Sequence, residues 1–278
     1  MPRSTAVTEH RPVLLTTVGR QRVGKTTFLN ILIQALREKG ADLMVWNADQ
    51  LNTTHNLAVF HDDVVQPKSS DFEDVKAWLE DRIQDQLEGQ FNAFLDVGGG
   101  ETPLSRLVRE VPLVRSLERR GIRVVLVHVV GPDPADVDYL KHYMRHDLFA
   151  PEATLIVLNA GLVLSGRSVS QAFEPLLEHP VIIEALKRGA SIVSMPALAC
   201  MTKVTDRGLT FAEAAAGVAK GSQSRLSFFD QERVAIWWER DVPEFLASIP
   251  SLWLPAITTR SAARDCSPAP APADAAEA

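Results

Sequence analysis

Cysteine is nearly missing from this chain. Two occur in 278 residues, Cys200 and Cys266, far apart and without metal-binding spacing. That argues against a disulfide-built scaffold and points to a reducing compartment. Long apolar runs are missing too. The best, residues 124–130, is short and interrupted by His128, well under the roughly 20 residues that span a bilayer. The first eleven residues are polar and carry no apolar core of the kind a secretory leader needs, so a cytoplasmic protein is expected. Positive charge is not in excess either: 29 Lys and Arg against 35 Asp and Glu leave a net charge of -6. Any contact with DNA or lipid must therefore come from a local patch. No internal repeat is visible.

What is present is ordinary globular material, 46% hydrophobic and 23% charged, at a length that one large α/β domain can reach. The expected organisation is a disordered lead over residues 1–11, one domain over 12–258, and an Ala- and Pro-rich tail over 259–278 that cannot form a core.

One stretch organises the rest: residues 19–27, GRQRVGKTT. It fits G-x-x-x-x-G-K-[ST], with Gly19 and Gly24 as the glycines and Arg20, Gln21, Arg22 and Val23 between them. Lys25 is the lysine and Thr26 the hydroxyl, with Thr27 after it. Such a loop turns backbone N–H groups inward around phosphate oxygens, brings the lysine to the β- and γ-phosphates, and leaves the hydroxyl as a magnesium ligand. Its surroundings agree. Residues 13–18 read as a short apolar strand, and 26–37 as a helix with Phe28, Leu29, Leu32, Ile33 and Leu36 at helical spacing.

Further apolar strands are expected over 43–46, 91–97, 122–130, 153–158 and 191–195, the 122–130 run suiting a central parallel strand covered on both faces. Helices are expected over 71–87 with Asp71 as cap, over 103–119, and from the Asp133-Pro134 pair to about 147. Two more are expected over 181–187 and 230–248. Strands alternating with helices predict a doubly wound, mostly parallel sheet flanked by helices.

In such a sheet the carboxyl ends of the strands converge on the phosphate site. Asp96 ends a buried strand in DVGGGE and is a candidate magnesium ligand, with Gly99 letting the backbone approach a γ-phosphate. Asp49, in NADQLN, is the candidate for orienting an attacking water. Asn159, at another strand end, is a candidate for the base edge. Each has a plainer reading: a strand-ending Asp before a Gly-rich turn, a loop Asp capping a turn, a turn asparagine.

With these residues in view, the chain resembles the ParA/MinD family of P-loop ATPases over most of residues 12 to about 250. In that family the loop reads K-G-G-x-G-K-T-[TS], followed by a strand ending D-x-D-P-Q-x-N; here those are RQRVGKTT and NADQLN. The resemblance implies ATP and Mg2+ as ligands and a homodimer formed around the nucleotide. It also implies a switch whose hydrolysis releases a cargo in plasmid or DNA partition, or a related positioning task. It places Asp49 on the water-positioning aspartate, DVGGG on the D-x-P-x-G segment, Asn159 on the base-contacting asparagine, and Pro196 in the late proline loop near adenine. Three departures stand out. Arg20 replaces the lysine that reaches the partner subunit's nucleotide, and Gln21 and Arg22 replace two glycines. Asn47 replaces the first aspartate. Arginine donates to phosphate in a fork and is not equivalent to lysine, so an accessory binding module of the conjugation or partition type, with little hydrolysis, is the competing expectation. A small-molecule kinase or amidoligase has no substrate site in the sequence to support it.

Weaker signals read as structural. His142 and His146 are four apart on an expected helix but have no third ligand. Trp237 and Trp238 suit core packing, and residues 243–255 read as a packed end. Lys203, Arg207, Lys220 and Arg225 are a scattered basic region, open between nonspecific DNA contact and a solvated face.

Overall fold

Six strands, β1 (Val13–Val18), β2 (Met44–Asn47), β3 (Ala93–Asp96), β4 (Arg123–Val130), β5 (Ala153–Asn159) and β6 (Ser191–Met195), form one sheet in the order β2-β3-β1-β4-β5-β6. Every pairing is parallel. The structure is a computed structural model and describes residues 10–49, 56–99, 102–145 and 150–257; the expected lead and tail lie largely outside them.

Eleven α-helices are seen among the described residues. α1 (Lys25–Glu38), α2 (Phe72–Gly89), α3 (Pro103–Glu110), α4 (Leu113–Arg119) and α5 (Val137–Arg145) precede β5. α6 (Val169–Leu177) and α7 (Pro180–Lys187) follow it, and α8 (Met201–Thr205), α9 (Phe211–Ala215), α10 (Phe228–Ile236) and α11 (Val242–Ser248) come after β6. The strands are apolar on both sides because both faces are covered. Val125, Val127 and Val129 of β4 join the core beneath α1, α10 and α11. Val124 and Leu126 join the core of α2, α3 and α4, and Val130 that of α5, α6 and α7.

The doubly wound parallel sheet is as expected, and Asp71 caps α2, its carboxylate accepting from the Glu73 and Asp74 amides. Several boundaries differ, each for a physical reason. The expected helix over 103–119 is two helices. Val111 is extended (φ -134, ψ 147) because the proline ring after it disfavours helical geometry, and Pro112 heads α4. The Asp133-Pro134 start is a 3-10 turn, Pro134–Asp136, before α5 begins. The last long helix starts earlier, capped by Ser227, and is divided by a π-helical turn at Trp237–Asp241. Pro243 cannot donate to the carbonyl four residues before it, so the regular ladder cannot run straight through this turn. α6 forms where a looser segment was expected, opened by a Ser168–Gln171 capping box. The five-residue helices α8 and α9 are too short to show a period. Residues 243–255 are the packed end expected, with Phe245, Leu246, Ile249 and Leu254 buried. His146 lies outside the described residues.

Two buried histidines sit among these layers. His61 Nε2 donates to Asn30 Oδ1 at 3.0 Å, which also takes the Gln34 amide at 2.8 Å; Gln34 Oε1 in turn accepts from the Phe211 backbone amide. This rung ties α1 to α9. Burial drives His61 down to about 4, with Arg37 adding to the effect, and drives His128 of β4 down to about 3. The unfolded chain protonates both near 6.5, so the stability each provides is intact above that pH and is lost as pH falls toward the folded value. Asp96, raised to about 6, acts in the opposite sense between its folded and unfolded values and offsets part of the loss. Unfolding free energies from denaturant melts should fall from pH 7 to 4, each histidine contributing at most about 1.4 kcal/mol per pH unit between its unfolded and folded values. His61→Gln and His128→Gln should each flatten the profile; an unchanged slope in both would show that the rings are charged inside the fold.

Candidate functional site

The phosphate-binding loop hangs between the ends of β1, β4 and β5, and its shape is set by what those strands press against it. Gly19 (φ +145) lies under the Val129 carbonyl, where a Cβ would approach to 2.6 Å. Gly24 (φ +98) lies against Asn159, whose Nδ2 would be 2.4 Å from a Cβ. That amide donates to the Val23 carbonyl at 2.8 Å, while Asn159 Oδ1 accepts from the Gly161 amide at 3.0 Å. Asn159, expected at a base edge, is thus engaged in bracing the loop from β5. Arg22 takes a left-handed conformation (φ 65), which explains why glycine is the unstrained choice at that position.

Gly24 opens α1 in left-handed geometry with no side-chain cap on the helix. The first-turn amides of a 14-residue helix therefore point at the loop, with the positive end of its dipole. Lys25 is buried, its Nζ donating to the carbonyls of Gly19 at 3.2 Å and Arg20 at 3.0 Å. Burial lowers its pKa, and Asp96 and Asp49 act against that shift. Thr26 Oγ1 donates to Asp96 Oδ2 at 2.7 Å. Asp96 is 1% exposed; its other oxygen, Oδ1, makes no hydrogen bond of regular geometry, although the Thr17 hydroxyl is near enough to the carboxylate to stabilise its charge. Burial pushes its pKa up to about 6 against the pull of the Thr26 hydroxyl and the Lys25 ammonium. A hydroxyl bonded to a carboxylate with one buried oxygen in no regular hydrogen bond fits a magnesium ion, which favours hard oxygen donors and keeps phosphate oxygens or waters as its other ligands.

Asp49 belongs to this cluster. Its amide is held by Asn47 Oδ1 at 3.0 Å, and its carboxylate lies beside Gly98, 3.3 Å from where a Cβ would stand. Gly99 packs against Gln21, so the loop after β3 touches the phosphate loop directly. Residues 50–52 of the NADQLN segment lie outside the described residues. Pro196 follows β6, and its carbonyl accepts from Trp237 Nε1 at 3.2 Å.

Arg20 is engaged within its own chain. Its Nη1 bridges Asp133 Oδ2 and Asp136 Oδ1, both at 3.0 Å, in its own chain. Asp133 had been read only as a helix cap, and Asp136 carried no expectation. The visible signal was a pair of acids three apart after Gly131-Pro132 at a strand end; what was invisible was which cation it would face. The basic region is also more engaged than expected. Lys203 pairs with Asp230 at 2.6 Å, Arg207 donates to the carbonyls of Lys203 and Ser224, and Lys220 donates to that of Gly208.

Strand, glycine loop, buried lysine and helix on a parallel sheet with β1 central make a P-loop NTPase fold. No family model and no curated protein matches the chain. Among solved structures it is similar to the MinD cell division protein of Aquifex aeolicus, with 16% identity, a TM-score of 0.43, and coverage of 84% of this chain and 97% of that one. It is also similar to the Pyrococcus horikoshii OT3 septum site-determining protein MinD complexed with Mg-ADP (20%, 0.40, 72% and 86%). A third is the signal recognition particle receptor FtsY of Elizabethkingia anophelis (14%, 0.40, 83% and 66%). Likenesses this distant carry no argument; the fold stands on strand order and loop geometry.

Gly24→Ala tests the bracing. A methyl group there meets the Asn159 amide and an unfavourable backbone angle together, so the loop must shift. Stability should drop by about 1–3 kcal/mol in denaturant melts, with affinity for a fluorescent nucleotide lost. An alanine variant that melts and binds like the parent would show that the loop is not held this way.

Proposed function

We propose that this chain is a nucleotide-dependent switch of ParA/MinD type that binds ATP with Mg2+ and hydrolyses it, working in plasmid or DNA partition or a related positioning task. The observation that carries the reading is the Thr26–Asp96 pair beside the buried Lys25 at the uncapped start of α1. Lys25 and the loop amides neutralise the β- and γ-phosphates. Thr26 and Asp96 would hold the magnesium ion, which when bound supplies positive charge for the departing phosphate oxygens. Asp49 lies on the γ-phosphate side, near enough to Lys25 and Asp96 to act on both electrostatically. It would orient a water and take its proton as the phosphoryl group leaves. Gly99 brings backbone to the same end of the nucleotide. Asn159, beyond its bracing of the loop, and Pro196 would lie toward the base.

The implied partners are a second copy of the chain and a cargo or partition protein, in a cytoplasmic setting. No helix among the described residues is long and apolar enough to cross a membrane. The second reading, a nucleotide-gated binding module with slow hydrolysis, is favoured by one observation. Gln21 and Arg22 are exposed on the loop where a close dimer would need small residues.

Lys25→Ala should abolish tight ATP binding in calorimetry, since the phosphates lose their buried ammonium; unchanged affinity would remove the phosphate-loop reading. Asp49→Ala should keep binding and slow turnover by on the order of a hundredfold or more, the scale of a lost general base. Steady-state assays with and without DNA read this directly, and undiminished turnover would return Asp49 to a turn residue.

A further inference from the structure

The arginine of the phosphate loop does not stand free. Its two carboxylate partners are each built to receive it. Asp133 fixes one oxygen on its own turn, Oδ1 accepting from the Ala135 amide at 2.9 Å, and offers Oδ2 to Arg20. Asp136 does the same, Oδ2 accepting from the Gly131 amide at 2.7 Å and Oδ1 facing Arg20. The two ion pairs are not equal. The Asp133 side chain is 60% exposed and its pairing is screened by water, whereas Asp136 is 4% exposed; with Arg20 itself 43% exposed in both pairs, the Asp136 pair is the less screened of the two.

The same residue also carries the lysine. Lys25 Nζ donates to the Arg20 carbonyl, so the side chain of residue 20 is fixed to the β4–α5 turn while its backbone carries the phosphate-binding ammonium. Beyond the turn, Val137 and Leu140 of α5 are buried in the core with α6 and α7. A continuous chain of contacts therefore runs from Lys25 through Arg20 and Asp136 to α5.

We propose that Arg20 is a positioning residue acting within its own chain. It is a strut that fixes the phosphate loop, and with it the anchor of Lys25, to the β4–α5 turn, so that the nucleotide site is complete in one copy. This rests on the phosphate-loop reading above and departs from the trans role that the resemblance implies for position 20. Reaching a second copy would require the guanidinium to leave a buried carboxylate, which would then stand unpaired beside the Gly131 amide. Such a charge is costly to leave uncompensated. The exposed edge of Arg20 lines a cavity of about 400 Å³ together with Gln21 and Val23 of the same loop and with Pro132, Leu162 and Arg167.

The test joins amide hydrogen exchange to nucleotide affinity, using the full chain at concentrations where light scattering shows single copies. In Arg20→Ala without nucleotide, the Gly131 amide and the first turn of α5 should exchange roughly tenfold faster or more, the scale of one lost hydrogen bond to a charged group. Affinity for ribose-labelled fluorescent ATP with Mg2+ should fall by a similar factor. Arg20→Lys should restore part of both, and Asp133→Asn should have a smaller effect than Asp136→Asn. In the parent, Gly131 should stay protected when ATP and Mg2+ are added. Unchanged exchange at Gly131 in Arg20→Ala would overturn the strut, as would loss of its protection on adding ATP. Turnover above the sum of the parts in a mixture of Arg20→Ala and Lys25→Ala chains would do the same. Lys25→Ala separates the two ideas. It should lose ATP while keeping Gly131 protected, and if it binds ATP like the parent the phosphate-loop reading fails while the strut is still judged by Gly131 exchange.

Discussion

The Asn159 amide sits 2.8 Å from the Val23 carbonyl, and only a residue without a Cβ at position 24 leaves room for it. That contact fixes where the phosphate loop lies over the sheet. From the neighbouring strand the Val129 carbonyl closes on Gly19, and from β3 the Asp96 carboxylate takes the Thr26 hydroxyl. The loop is thus suspended from three strand ends. It is rigid because a parallel sheet covered on both faces fixes those ends relative to one another.

Electrostatics follow from this placement. Lys25 and Asp96 share one small, poorly solvated region, and the Asp49 carboxylate acts on both. Burial pulls the lysine toward neutrality and the Asp96 carboxyl toward protonation, and their mutual attraction opposes both shifts. A polyanion and a divalent cation entering together add charges of both signs to a place where each existing charge is costly. On the proposed reading, magnesium and phosphate would therefore reinforce one another here rather than act independently.

Much of this was legible because it is local. The spacing from Gly19 to Thr26 lies within one turn, and the strands announce themselves as apolar runs ending in polar residues. Asp71 caps its helix and Asp96 ends its strand, as their sequence contexts imply. What escaped was set by steric or long-range effects. Pro112 breaks a pattern that is helical on both sides of it, and the π-helical turn at Trp237–Asp241 interrupts a continuous period. The destination of the Arg20 side chain depends on two acids more than a hundred residues away in sequence, brought close by β4 lying beside β1. No pattern within the loop could have chosen between that destination and a second chain. The amide of Asn159 was expected at a ligand for the same reason: its position at a strand end is visible in sequence, its hydrogen-bond partner is not.

Trp237 is buried, stacks with Trp238, meets Phe211 at a tilted angle, and donates its indole N–H to the Pro196 carbonyl in the loop after β6. An indole whose only polar atom is tied to one backbone oxygen has an emission colour governed by that bond and by the dryness around it. With five tryptophans in the chain, and this one fastened to the segment that borders the phosphate loop through Met195, the protein carries its own optical gauge. Any movement of the β6 loop relative to α10 must alter the light this side chain emits, with no dye or label added.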